Sequence, residues 1–335
     1  MKILKNLFYL ILGLVSYSIY GVNSQKSYQG FVKAYSFTNG LTNMFLEKMI
    51  KTFFYIKSIF SVKKIKYEND SNFNFNENID HVLQSIKNKS YYKFREKLNS
   101  DKINDILSYI ESIEGYKNGN KELLFKQINN NEDIKFINFF EKDLIKNKSI
   151  QELITSNTFV EIAKKYFGCD PIFSNVGISI SYPIEKASSD FAQKYHFDLD
   201  RIKWLKFFIY LSDVDEFSGP HKYIEGTHLP LSKPYKLVKN GYVRIEDEEL
   251  FQYIDKKKEN TIIDKKGTVF VGDTSAFHKG QNPTKKKRIL LSIEYCNSLF
   301  GAQVEKISFK NQEFEKLNII KNFQNRSLFK RISFF

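Results

Sequence analysis

From Pro171 onward the sequence breaks into short apolar runs, and no other feature constrains the fold as much. Ile172–Tyr182, Ile202–Ser212, Lys222–Glu225, Thr261–Ile263, Gly267–Val271 and Arg288–Cys296 are of strand length and most are rich in aromatic and β-branched residues. Upstream the periodicity is helical. Asp101–Ile113 carries Ile103, Ile106, Leu107 and Ile110 on one face behind Ser100 as N-cap, and Ile134–Leu144 and Thr158–Phe167 also read as helices. Ser90–Arg95 reads as a short entry strand, and Tyr67–Asp80, rich in Asn, Asp, Glu and Ser, as a linker. Helices followed by many short strands predict an α+β chain whose strands form a sandwich or barrel. At 335 residues, 42% of them hydrophobic, the chain can bury a core of that size.

Polar residues punctuate these strands at telling places. His196-Phe197-Asp198 stands just before the Ile202 run, His278 just beyond the Thr268–Val271 run, and Arg288 at the head of the last strand. Two imidazoles and one carboxylate are the donor set of a facial Fe(II) site, which leaves positions open for a chelating cosubstrate and O2. Such chemistry is oxidative, not hydrolytic. Asp200 competes for the carboxylate role, but the two-residue offset puts Asp198 beside His196 on one face of an extended segment. Arg288 offers a planar fork matched to a carboxylate, and strand alternation sets it on one face with Leu290 and Ser292. Lys285–Lys287 before it read as a solvated basic turn.

These residues resemble the phytanoyl-CoA dioxygenase-like family of Fe(II)/2-oxoglutarate oxygenases. The likeness spans about residues 91–302. It rests on His196-Phe-Asp198, Ser218-Gly-Pro-His-Lys-Tyr-Ile-Glu-Gly-Thr-His228, Gly267-Thr-Val-Phe-Val-Gly-Asp273, and His278-Lys-Gly-Gln-Asn282 with Arg288. The resemblance implies a double-stranded β-helix (a jelly roll, cupin-like) with flanking helices. It implies Fe(II) on His196, Asp198 and His278, with no catalytic side chain beyond these ligands. Arg288 would pair with the distal carboxylate of 2-oxoglutarate, and Tyr210, Ser292 and Ile178 would line the cosubstrate. Gly280 stands where some relatives place a Ser. The implied reaction consumes O2 and 2-oxoglutarate, releases succinate and CO2, and hydroxylates a small-molecule or lipid-like substrate. Relatives that halogenate replace the carboxylate ligand, so Asp198 favours hydroxylation, desaturation or ring closure. The remaining histidines carry plainer expectations. His228 is a structural turn residue, His221 lies near the pocket or at the surface, and His81 is incidental. Two other classes stand beside this reading: a metal-binding enzyme without redox chemistry, and a non-catalytic scaffold working through its N-terminus.

Composition narrows the setting. Cys169 and Cys296 give neither a disulfide framework nor a metal-ligand spacing, and they read as reduced buried thiols of a cytoplasmic protein. The net charge of +14 accompanies no nucleic-acid module. That charge is concentrated, since residues 1–66 hold ten Lys and one Glu. Within them Leu7–Val15 and Leu41–Ile65 are apolar, yet neither supplies the roughly 20 apolar residues of a bilayer span. Two readings stay open for 1–66: basic amphipathic helices on an anionic membrane surface, or a helical extension packed on the core with lysines at its rim. A signal peptide fits the charged start, but no small-x-small cleavage site follows. The expected division is thus a basic extension over 1–66, a linker over 67–90, an oxygenase domain over 91–302 and a C-terminal extension over 303–335.

Overall fold

Alternate side chains of the central strands enter two different buried clusters, and the fold is the packing of those two faces. The computed structural model describes residues 2–20, 24–60, 74–125, 134–187, 192–321 and 327–334. Its strands are β1 (Tyr91–Lys97), β2 (Gly115–Lys117), β3 (Leu124–Phe125), β4 (Phe136–Phe139), β5 (Ile172–Ser181), β6 (Trp204–Tyr210), β7 (His221–Ile224), β8 (Glu259–Ile262), β9 (Thr268–Gly272), β10 (His278–Gly280) and β11 (Arg288–Cys296). A large sheet runs β1-β9-β6-β11-β5-β4-β2-β3, and a small one β10-β7-β8. Every neighbouring pair in both sheets is antiparallel. From β5 the chain goes to a bridge between His196 and His278 beside the small sheet, then to β6 in the large, β7 and β8 in the small, β9 in the large, β10 in the small and β11 in the large.

Register decides which side chains face which layer. Leu290 pairs with Ser179 and Tyr210, and Leu291 with Ile178 and Ile209. Leu290, Phe208, Tyr210 and Phe270 of the large sheet meet Tyr223 and Ile262 of the small one in a single apolar cluster between the layers. The opposite face of the large sheet carries Ile178, Ile180, Phe207, Ile209, Val269, Val271, Leu291 and Ile293. Helices α4 (Ile79–Lys89), α5 (Ser100–Ser112), α7 (Lys148–Ile154) and α8 (Asn157–Phe167) cover that face, with α6 (Glu141–Leu144) a single turn beside it. Stacking of Phe159 on Phe207, with ring centroids 4.1 Å apart, joins α8 to β6.

Several local expectations shift. Ile134–Leu144 is not one helix: β4 and then α6 occupy it, because Ile137 and Phe139 alternate inward beside β5. The cap of α5 is Asn99, whose side chain accepts the Lys102 N–H at 3.0 Å, and Ser100 is already helical. Of the segment expected as linker, residues 67–73 lie outside the described residues. Ile79–Lys89 is α4, capped by Asn78 and anchored by Val82 and Ile86. Residues 61–66 of the basic extension also lie outside the described residues.

Three helices precede this core: α1 (Lys2–Tyr20), α2 (Gln25–Thr38) and α3 (Leu41–Phe60). Leu10, Phe31 and Leu46, one from each, pack with Ile202 and Phe300 of the core. Among the described residues no helix is long and apolar enough to cross a membrane. After β11 the chain forms β12 (Ile307–Phe309) and β13 (Ile332–Phe334), paired in parallel. Arg331 clamps this segment to α6 through a two-point pair with Glu141 at 2.7 and 2.8 Å.

Phe207 is the joint between helices and sheet, since it is fully buried and also meets Tyr295 at 5.7 Å. Phe207→Ala is expected to cost about 3–5 kcal/mol of unfolding free energy, read from urea denaturation.

Candidate metal centre

The closure of the small sheet brings the two histidines together. His196 N–H donates to the His278 carbonyl at 3.0 Å, and His278 N–H donates to the His196 carbonyl at 2.8 Å. This non-adjacent pair puts both imidazoles on one side, with centroids 4.2 Å apart. Asp198 is fixed next to them because its N–H donates to the Thr274 carbonyl at 2.8 Å. His196 Nε2 lies 3.7 Å from Asp198 Oδ1, and His278 Nε2 lies 3.8 Å from Asp198 Oδ2. One ligand atom from each residue falls within 4.8 Å of the others, and all three residues are buried. Asp200, the competitor, is outside this group and reaches toward Lys206 at 3.8 Å.

Protonation favours ligation. His196 Nδ1 faces the Lys194 carbonyl at 2.9 Å, and His278 Nδ1 faces the Ala276 carbonyl at 3.0 Å. A carbonyl can only accept, so each Nδ1 carries the proton and each Nε2 keeps its lone pair. Burial, and for His196 the neighbouring His278, push both rings below their ordinary value and keep them neutral. Burial alone would raise the Asp198 carboxyl, but the Lys206 ammonium bonded to it outweighs burial and holds it below the usual carboxylate range. Lys206 Nζ takes Asp198 Oδ2 at 2.7 Å, which leaves Oδ1 for one-point coordination. Two neutral imidazoles and a carboxylate suit Fe(II) and similar ions, not the metals that want thiolates.

Arg288 lies near this group, across Gly280. A Cβ at Gly280, two residues after His278, would stand 2.7 Å from Arg288 Nη2, so glycine makes the room that the guanidinium occupies. Arg288 Nη1 donates to the Gly219 carbonyl, and Nη2 to Ser181 Oγ at 3.5 Å. Gly219 itself needs glycine, having φ +74° and the Gln281 carbonyl 2.2 Å from any Cβ. Arg288 is buried, its Nε has no hydrogen-bond partner, and no carboxylate pairs with it among the described residues.

His221 is the residue that sequence reasoning left undecided. It is buried, lies parallel to His278 at 5.6 Å, and both ring nitrogens lack partners among the described residues. Tyr223, next on the same face, has a buried hydroxyl with no partner among the described residues. The other expected contacts divide. The Tyr210 ring is in the interlayer cluster, with its hydroxyl donating to the Ile262 carbonyl at 2.8 Å and accepting the His221 N–H at 3.1 Å. Ser292 is two strand positions past Leu290, its hydroxyl 3.4 Å from the Gly177 carbonyl. Ile178 is on the helix-covered face of the sheet, because its partner Leu291 is out of phase with Arg288. It does not line the site. His228 stands in the turn after β7 and outside the triad, where neighbouring Thr227 accepts the Phe277 N–H at 2.8 Å and so braces the approach to His278. His81 sits in α4, also outside the triad.

Two side chains without a signal in the sequence lie beside His196. Tyr242 approaches the His196 ring at 6.2 Å, and the Arg244 guanidinium stacks 5.0 Å over Tyr242.

No protein-family model and no curated protein matches the chain. Solved structures similar to it include SnoN, described as the non-heme alpha ketoglutarate dependent epimerase from nogalamycin biosynthesis (14% identity, TM-score 0.47, over 65% of this chain and 82% of that one). SnoK, described as the carbocyclase of the same biosynthesis, is similar at 14% identity and TM-score 0.46, over 66% and 84% of the two chains. HygX from Streptomyces hygroscopicus, with nickel and 2-oxoglutarate bound, is similar at 12% identity and TM-score 0.46, over 69% and 89%. Similarity of this degree leaves the function to the side chains themselves.

A methyl group at position 280 has nowhere to go but into Arg288. Gly280→Ala is expected to lower unfolding free energy by about 1–3 kcal/mol in urea denaturation, whereas Lys286→Ala on the exposed turn nearby stays within about 0.5 kcal/mol of the parent.

Proposed function

We propose that this chain is an Fe(II)- and 2-oxoglutarate-dependent oxygenase of the phytanoyl-CoA dioxygenase-like kind, most consistent with hydroxylation of a small-molecule or lipid-like substrate. The reading is carried by one observation. Three ligating atoms converge in a buried cluster, and a buried arginine without a carboxylate partner packs against Gly280, two residues along β10 from the ligand His278. Strands that alternate between two antiparallel sheets support a double-stranded β-helix as the scaffold.

The residues present fit both groups. His196, Asp198 and His278 would hold Fe(II), and Arg288 Nε together with the one N–H of the neutral His221 ring, both without partners among the described residues, are donors suited to a carboxylate. When bound, iron and 2-oxoglutarate would supply O2-driven oxidation coupled to decarboxylation, giving succinate and CO2. The protein's own share is positional. Lys206 neutralises Asp198 and fixes its rotamer. The Nδ1 bonds set both imidazole tautomers. Tyr210 orients the backbone beneath His221, and Phe208, Phe270 and Leu290 keep water from the interlayer side.

Anaerobic Fe(II) with 2-oxoglutarate is expected to give a weak visible charge-transfer band that His278→Ala abolishes. Arg288→Lys and His221→Ala should each weaken 2-oxoglutarate binding, by about 10–100-fold in a titration of that band, while isothermal titration with Fe(II) alone stays near the parent value. A folded, iron-loaded protein with neither the band nor succinate formation under O2 would return the chain to the scaffold reading.

A further inference from the structure

Helices α1 and α3 are apolar on two sides, and the core covers only one of them. On α1 the inner side is Leu10, Leu14 and Tyr17, packed with Phe31 and Phe300, and the Tyr17 hydroxyl accepts the Leu299 N–H at 3.0 Å. The outer side is Leu4, Leu7, Phe8, Ile11, Leu12 and Val15, each 45–71% exposed. These positions recur at steps of three and four and so form one helical face. On α3 the inner side is Leu46 and Ile50, and the outer side is Met44, Phe45, Met49, Phe53 and Ile56, each 36–64% exposed. Single exposed apolar residues are ordinary, but two whole helix faces are not.

Charge says what these faces meet. Residues 2–60 contain lysines at 2, 5, 26, 33, 48, 51 and 57 against one acid, Glu47. Glu47 is held by Lys51 at 2.8 Å and by Lys203 at 3.9 Å. Lys5 lies beside Leu4 and Phe8, Lys48 lies between Met44 and Met49, and both are exposed. Pairing such a face with a second copy would oppose lysine to lysine. A surface that is negative outside and apolar just beneath satisfies both features at once.

We propose that the exposed faces of α1 and α3 dock on an anionic lipid bilayer, lying in its interface and not crossing it. Full-length protein is mixed with vesicles of phosphatidylcholine alone, or with phosphatidylserine added, and sedimented. Binding is expected only with phosphatidylserine and is expected to fall as salt rises. Phe8→Asp with Leu12→Asp, or Phe45→Asp with Phe53→Asp, should each weaken it by at least about tenfold, and Lys5→Glu with Lys48→Glu likewise. All these side chains are exposed, so circular dichroism and the Fe(II)/2-oxoglutarate band remain as in the parent. Failure to sediment with either vesicle overturns the proposal, as does equal binding to both. A concentration-dependent dimer in light scattering that the same variants dissolve would also overturn it, by assigning the faces to a second copy. None of these outcomes bears on the oxygenase reading.

Discussion

Two backbone hydrogen bonds exchanged between His196 and His278 are the point on which the molecule turns. The residues are far apart in sequence, and only the closure of β10 against the segment before β6 brings them together. The surrounding contacts defend that closure. Trp204 Nε1 donates to Thr274 Oγ1 at 2.7 Å, and the Thr274 carbonyl receives the Asp198 N–H. Asp273, fully buried, accepts from Tyr166 at 2.6 Å, Lys203 at 3.0 Å and Ser275 at 2.5 Å. The turn 273–276 is thus fixed from the helical layer, the sheet and its own side chains, and it delivers both Asp198 and His278. Donor groups spaced this way do not drift with loop motion, which is what a site tolerating little misplacement needs.

Electrostatics around the triad follow a different logic from the rest of the core. Lys206 meets Asp198 at 2.7 Å, Glu294 at 3.3 Å and Asp200 at 3.8 Å. Lys206 thus bridges three carboxylates, and the Arg244 guanidinium also acts on the two imidazoles. Farther along lies a buried cation, Arg288, whose Nε, like both His221 nitrogens, has no partner among the described residues. Buried polar atoms without partners cost stability, and native proteins keep few of them. Among the described residues His221, Tyr223 and Arg288 carry such atoms, and the His221 ring lies 5.6 Å from His278.

The scaffold was legible because its main strands are short, nearly continuous apolar runs, and β11 starts at Arg288 and ends at Cys296 as its sequence suggests. What a single strand does not show is its register to the next. Arg288 pairs with Ser181, so the residues of β5 facing the interlayer side are 181, 179 and 177. Ile178 therefore points the other way, a fact hidden until β5 is paired. Lys206 could have been found. It is the lone charge in Trp-Leu-Lys-Phe-Phe and shares the parity of Phe208 and Tyr210, which places it inside. His221 carried the same clue through its parity with Tyr223. Ile134–Leu144 misled because a four-residue strand followed by one helical turn spaces its apolar side chains much as a helix would.

The N-terminal helices are not an appendage to this site. Tyr35 of α2 stacks at 5.7 Å on Phe197, the residue between His196 and Asp198. Its hydroxyl accepts from Lys233 at 3.0 Å, and Asn39 Nδ2 donates to the Lys233 carbonyl at 2.7 Å. Burial pushes the Lys233 ammonium down to about 7, yet it remains seated over the Phe197 ring at 5.3 Å. Lys233 opens the loop that leads to Tyr242 and Arg244, the pair beside His196. One helix therefore grips both the segment that carries His196 and Asp198 and the loop that borders them. Removing it would uncover Phe197 and free Lys233, so residues 24–40 brace the segment that carries His196 and Asp198 as much as the strands do.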